Sequence, residues 1–183
     1  MSARSAPGPR PLRSEPSLRL VALVLALCGG CAYRPASKTA ICSGRDCYEV
    51  GGLGQEWKSI TLEDGAAGFF NATTGSVILG YASCRDDAEA TPLSSLTAHL
   101  LVGYSDRRER SSELIAFAQR EALRSVIDAK LDGVPVVLDL YVLKRDGCIF
   151  DLCFVARPAS YDAGLPDFRR FVEGFHQLPR PPA

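Results

Sequence analysis

Charge of either sign is not in excess in this chain: its 183 residues carry 21 Lys and Arg against 21 Asp and Glu. Without a net basic field nothing draws in the phosphates of nucleic acid, so a nucleic-acid partner is not expected. Histidine is scarcer, with only His99 and His176. A zinc site needs His, Cys or carboxylate ligands clustered at close spacing. Neither histidine lies in such a cluster, and no metal is expected. The apolar run from Leu20 to Cys28 falls short of the roughly 20 residues that cross a bilayer. A composition of 46% hydrophobic and 23% charged residues is nonetheless ordinary for one globular domain with its own core.

Catalytic patterns are missing in the same way. Cys148 and Cys153 enclose four residues where a redox Cys-x-x-Cys pair has two, and five positions along a strand put them on opposite faces. Ser94-Ser95 and Ser111-Ser112 lack a nucleophile elbow, and Gly51-Gly52-Leu53-Gly54 opens no strand-to-helix phosphate loop. Neither an enzyme nor a cofactor is expected.

What is present is a meander from Ala122 to Ala156. Asp132-Gly133 and Asp146-Gly147 are each flanked by alternating apolar residues, the strongest local signal for a two-residue hairpin turn. If each turn holds only its Asp-Gly pair, Leu131 faces Val134, Ile127 faces Leu138, Arg145 faces Cys148 and Tyr141 faces Leu152. That register puts Ile127, Leu138, Leu140, Ile149 and Cys153 on one face, with Asp151 as its main polar interruption. The other face holds Tyr141, Leu143, Phe150, Leu152 and Phe154, but Arg124, Asp128 and Lys130 on the first strand. Both faces need cover, so the expected class is α+β: an antiparallel sheet covered by helices on both faces, an α/β/α sandwich.

Short strands are expected over Glu56–Thr61, Gly68–Ala72 and Ser76–Ser83. Thr91-Pro92 reads as N-cap and first residue of a helix with a stripe of Leu93, Leu96, Leu100 and Tyr104, beside which His99 lies. Ser105–Ser112 is charged and exposed. Leu114–Gln119 stays open between strand and short helix, because good helix formers run into a strand-like alternation. A final amphipathic helix over Pro166–Phe175 carries Phe168, Phe171, Val172 and Phe175 on one face.

The N-terminus reads as a targeting segment, with Arg10, Arg13 and Arg19 ahead of the apolar run. Leu27-Cys28-Gly29-Gly30-Cys31 resembles the cleavage site of bacterial lipoprotein precursors, although Cys28 stands where those have an aliphatic residue. The resemblance implies a signal peptide over 1–30, a lipid on Cys31 and an anchor in the cell envelope; ordinary secretion and an uncleaved anchor are the alternatives. Ala32 after that cysteine points to the outer membrane, facing the periplasm. Residues 31–54, rich in Pro, Ser, Gly and Lys, then read as a flexible tether, 55–178 as the domain and 179–183 as a tail.

An exported chain meets an oxidising compartment. With Cys28 removed and Cys31 acylated, five cysteines remain. Cys42 and Cys47 bracket a turn-like loop that could close locally, Cys84 is paired with Cys148, and Cys153 is left as a buried free thiol.

Trp57 before the first hairpin, Leu131-Asp132-Gly133-Val134-Pro135, Asp146-Gly147-Cys148 and the stretch from Phe168 to Phe175 together resemble the fold shared by the photosystem II PsbP proteins, the bacterial DcrB lipoproteins and the Mog1 nuclear-transport regulators. The resemblance spans about Gln55 to Leu178 and carries no catalytic motif. It implies a non-catalytic binding or assembly module with an envelope protein as partner. The alternative is a small-ligand carrier or a hydrolase whose pocket is built on Arg124, Asp139 and Tyr141, which converge on the wetter sheet face; the same residues also suit a structural ion pair.

Overall fold

The computed structural model describes residues 38–43, 46–62, 66–85 and 88–179. The expected signal peptide and Cys31, the turn at 63–65 and the tail from 180 lie outside the described residues. The chain opens with β1 (Lys38–Ser43) and β2 (Asp46–Gly51), an antiparallel hairpin in which Cys42 faces Cys47. This corrects the expected tether over its described strands, 38–43 and 46–51. Tyr48 and Val50 are fully buried, so the stretch is part of the core. Its partner is β10 (His176–Gln177), over a hundred residues away in sequence, and no local pattern signals that pairing.

The main sheet follows with β3 (Trp57–Thr61), β4 (Ala67–Asn71) and β5 (Ser76–Cys84). Between β4 and β5, buried Asn71 accepts from the backbone N–H groups of Thr73 and Thr74 at 3.0 and 3.2 Å, an Asx turn built by one side chain. Helix α1 (Leu93–Leu100) comes next. Pro92 is its N-cap, and Thr91 makes no cap, because Pro92 already supplies the extended entry that a capping residue would give.

Four long strands complete the sheet: β6 (Tyr104–Phe117), β7 (Arg120–Leu131), β8 (Val134–Arg145) and β9 (Cys148–Ala156). The order is β3-β4-β5-β9-β8-β7-β6, antiparallel throughout. The four expected registers hold: Leu131 pairs with Val134, Ile127 with Leu138, Arg145 with Cys148 and Tyr141 with Leu152. Asp132, Gly133, Asp146 and Gly147 all have positive φ, the backbone a two-residue hairpin turn requires. Leu114–Phe117 is strand, and so is the charged stretch before it. As the outer strand, β6 shows solvent its charges and two register shifts, which blunt an open sheet edge.

Helix α2 (Tyr161–Glu173) lies on the aromatic face, where Phe168 contacts Tyr141 and Phe154 with ring centres 5.8 and 5.5 Å apart. It begins earlier than the periodicity of its phenylalanines suggests and holds Pro166 inside it. Phe175, just beyond, meets Tyr48, Phe117 and Phe150. Close approach of α2 to β2 depends on glycine: a Cβ on Gly51 would overlap the Arg170 carbonyl, and one on Gly174 would overlap the Gly51 backbone. Trp57 Nε1 donates to Asp167 at 2.9 Å and fixes the other flank of the helix. The opposite sheet face gathers Ile127, Val136, Leu138, Leu140 and Cys153, against which Leu100 and Leu101 pack from the end of α1. The α+β class is what the structure has; helical cover is uneven, with most of it on the aromatic face.

The bridges Cys42–Cys47 and Cys84–Cys148 are both formed, and Cys153 is buried and free. Cys84–Cys148 joins residues 64 apart, tying β5 to β9. Closing such a loop stabilises the folded state by about 4 kcal/mol in the chain-entropy model. Replacing both cysteines with alanine is therefore expected to lower stability by roughly that amount, less any relief of strain. Chemical denaturation checks this, and an unchanged midpoint contradicts it.

Candidate functional site

Pairing of Arg124 with Tyr141 and of Val126 with Asp139 sets Arg124 diagonal to Asp139 on one sheet face. The structure brings the three expected residues together. Arg124 donates to Asp139 through Nε at 3.1 Å and a terminal nitrogen at 2.9 Å, and its guanidinium lies over the Tyr141 ring at 5.5 Å. A fourth member comes from the first turn of α2: Tyr161 donates its hydroxyl to Asp139 at 2.9 Å. Hydrogen bonding to Asp139 holds the Arg124 pKa above its ordinary value, while burial, reinforced by Asp139, raises that of Tyr161. Asp139 has no exposed surface, and three donors occupy its oxygens. The cluster pins α2 to the sheet, and a ligand could reach only the open edge of Arg124.

A different polar group lies on the other face. Asp151, in β9, is flanked by Tyr81 on β5 and Val142 on β8. Only 8% of its surface is exposed, and its Oδ1 has no hydrogen-bond partner among the described residues. It lines a cleft of about 220 Å³ between the sheet and α1, together with Tyr81, Ser83, Leu96, His99 and Leu100. Removal from water with no compensating cation pushes its carboxyl up to about 7. That places a protonation change near neutral pH inside a concavity, the combination that marks candidate sites. His99, expected to stand without company, lines the same cleft and is exposed. In the sequence Asp151 was visible as the polar interruption of an apolar face, but its depth depends on where α1 lands.

Among the described residues one set could suggest a metal: Asp46, Cys84 and Cys148 bring ligand atoms within 4.8 Å of one another. The two sulfurs are joined to each other and offer no thiolates, so the group does not fit a metal site. Cys153 is a poor nucleophile, since burial raises its pKa strongly.

No protein-family model matches the chain, and no curated protein matches it in sequence. Solved structures do match. Cyanobacterial PsbP from Synechocystis is 11% identical, covering 83% of this chain and 99% of its own, with a TM-score of 0.55. LpqN of Mycobacterium tuberculosis, described as involved in cell envelope biogenesis, is 12% identical over 81% of this chain and 88% of its own, with a TM-score of 0.53. A Pseudomonas aeruginosa protein of unknown function is 12% identical over 79% of this chain and 99% of its own, with a TM-score of 0.50. The domain therefore has a PsbP-like fold, as its turns and terminal helix imply. No helix among the described residues is long and apolar enough to cross a membrane.

The raised Asp151 carboxyl makes stability depend on pH with a definite sign. The folded state holds this proton up to about pH 7, whereas an unfolded aspartate releases it near pH 4. The folded state thus binds more protons over that interval, and its stability falls as pH rises through it. Replacing Asp151 with Asn removes this component. The variant is expected to gain about 2–3 kcal/mol relative to the parent between pH 5 and pH 8. Paired urea denaturations at the two pH values measure it; an offset that is the same at both would count against the assignment.

Proposed function

We propose that the chain is a non-catalytic envelope lipoprotein, anchored through a lipid on Cys31 and presenting its PsbP-like domain as a binding or assembly module for an envelope protein. The observation that carries this reading is the pair of disulfides, Cys42–Cys47 and Cys84–Cys148, inside one small domain. Bridges of this kind persist in oxidising compartments and are rare in the cytosol. The basic-then-apolar leader ending at Cys31 supplies a route there, and a lipid would hold at the membrane a domain whose described helices cannot cross it. The fold shared with LpqN, a protein involved in cell envelope biogenesis, fits the same location. The outer membrane, facing the periplasm, is the side that Ala32 favours. In this reading the domain is a layered sandwich, with α2 closing one sheet face and α1 starting the cover of the other.

A small-ligand carrier is the second reading, and the cleft at Asp151 favours it over the closed Arg124, Asp139 and Tyr141 cluster. The anchoring claim is tested by Cys31→Ser. The parent is expected to sediment with membranes and the variant to appear in the soluble fraction at comparable total yield. A variant that stays tightly membrane-bound would contradict the lipid anchor.

A further inference from the structure

The cleft between α1 and the sheet has a composition that selects among ligands. Its sheet side is Ile149 and Asp151 of β9 beside their cross-strand partners Ser83 and Tyr81 of β5, and Leu96, His99 and Leu100 of α1 line it as well. Asp151 lines this largely apolar setting with 8% of its surface exposed, and its sealed Oδ1 meets no donor among the described residues. A buried carboxylate left without a partner carries the full cost of its lost hydration, and a cationic donor offsets that cost best. Nearby cations are spoken for: the Lys144 ammonium donates to the carbonyls of Glu89 and Thr91 at 2.7 and 3.0 Å, and Arg85 at the rim already has a partner.

We infer that this cleft is a binding site for a small primary amine, whose ammonium donates to Asp151 while its short apolar chain lies against Leu96, Leu100 and Ile149. Tyr81 lines the same space, and an aromatic ring there attracts a cation. A cleft of about 220 Å³ is smaller than pockets that take drug-sized molecules, so the ligand is a short one. The inference rests on reading the domain as a binding module, and it is independent of the anchor at Cys31.

The titratable and charged groups lining the cleft are Asp151 on β9, Tyr81 on β5, Arg85 just after it and His99 on α1. Nearby, Lys144 on β8 pairs with Ile149 and donates to the Glu89 and Thr91 carbonyls, and Cys153 is two residues along β9 from Asp151. An alkylammonium, like the lysine side chain, stays charged up to about pH 10. It therefore competes with a proton for Asp151. With that carboxyl titrating at about 7, affinity is expected to rise about tenfold from pH 6 to pH 8.5.

The experiment is a nuclear magnetic resonance titration of the purified protein with n-butylamine in amine-free buffer at both pH values, with n-butanol and n-butyrate as controls. The expected result is saturable shifts of Asp151, Ile149, Leu96 and Leu100 with butylamine, a millimolar or tighter dissociation constant, and the pH dependence above. His99 lines the same cleft, so the profile is repeated in His99→Gln, where the dependence is expected to persist. Asp151→Asn, checked for an unchanged fold by its spectrum, is expected to abolish binding. Equal binding of butanol would reduce the cleft to an apolar hollow and overturn the inference, as would preferred binding of butyrate or no saturable shift. None of those results bears on membrane release of Cys31→Ser, so failure here and failure of the anchored-lipoprotein reading are separable.

Discussion

Strand register is what the rest of this domain depends on, and two-residue turns set it. Asp132-Gly133 and Asp146-Gly147 place Leu131 against Val134 and Arg145 against Cys148, leaving no residue over. Side chains alternate across a sheet, so a slip of one residue in β8 or β9 would carry every side chain on that strand to the other face. The aromatic rings that receive α2 would then exchange places with the aliphatic residues beneath α1. The same register sets Arg124 diagonal to Asp139, while the pairing of Cys148 with Cys84 belongs to β5 and β9, strands that no hairpin turn joins. The Arg124–Asp139 cluster is a consequence of turn length; the long-range disulfide and the Asp151 cleft also need β5 to dock on β9.

Two buried aspartates, one on each face, show what a covered sheet does with charge. Asp139 receives three hydrogen bonds from Arg124 and Tyr161, and the Tyr141 ring shields the guanidinium. Such a group is a structural element: breaking it would leave a charge stranded in the core. Asp151 receives nothing at Oδ1, and burial moves its carboxyl about three pH units from the ordinary aspartate value, a cost on the order of 4 kcal/mol when it is ionised. Stability alone would favour an apolar residue at this position, since its neighbours Val142, Ile149 and Cys153 are apolar and buried. A carboxyl kept at that cost beside an open cleft is a feature of this domain that packing leaves unexplained.

The sheet was legible where chemistry is local. Asp-Gly pairs and alternating apolar residues disclosed three strands with their register, and the spacing of Phe168, Phe171, Val172 and Phe175 disclosed the helix face. The β6–β7 turn was not legible, because it is built from Ala118 and Gln119, both with positive φ and neither a residue that favours it. Arg145 supports that turn from another strand by donating to the Ala118 carbonyl at 2.9 Å, a tertiary contact that overrides local preference. The hairpin of β1 and β2 looked like a tether because its third strand arrives only at His176. Of the candidate site, Arg124, Asp139 and Tyr141 could be brought together by register alone, whereas Tyr161 lay between two prolines in no readable element. Asp151 could be seen as an anomaly but not as a site, since the cleft exists only once α1 crosses the sheet.

The account turns on Asp151 being an unpaired carboxyl held out of water, and its own titration reads this directly. Carboxyl carbon chemical shifts of the carbon-13-labelled protein, followed from pH 3 to pH 9, are predicted to show Asp151 titrating near 7, well above the exposed aspartates. A midpoint near 4 would mean that the group is solvated or paired, and would contradict the central claim.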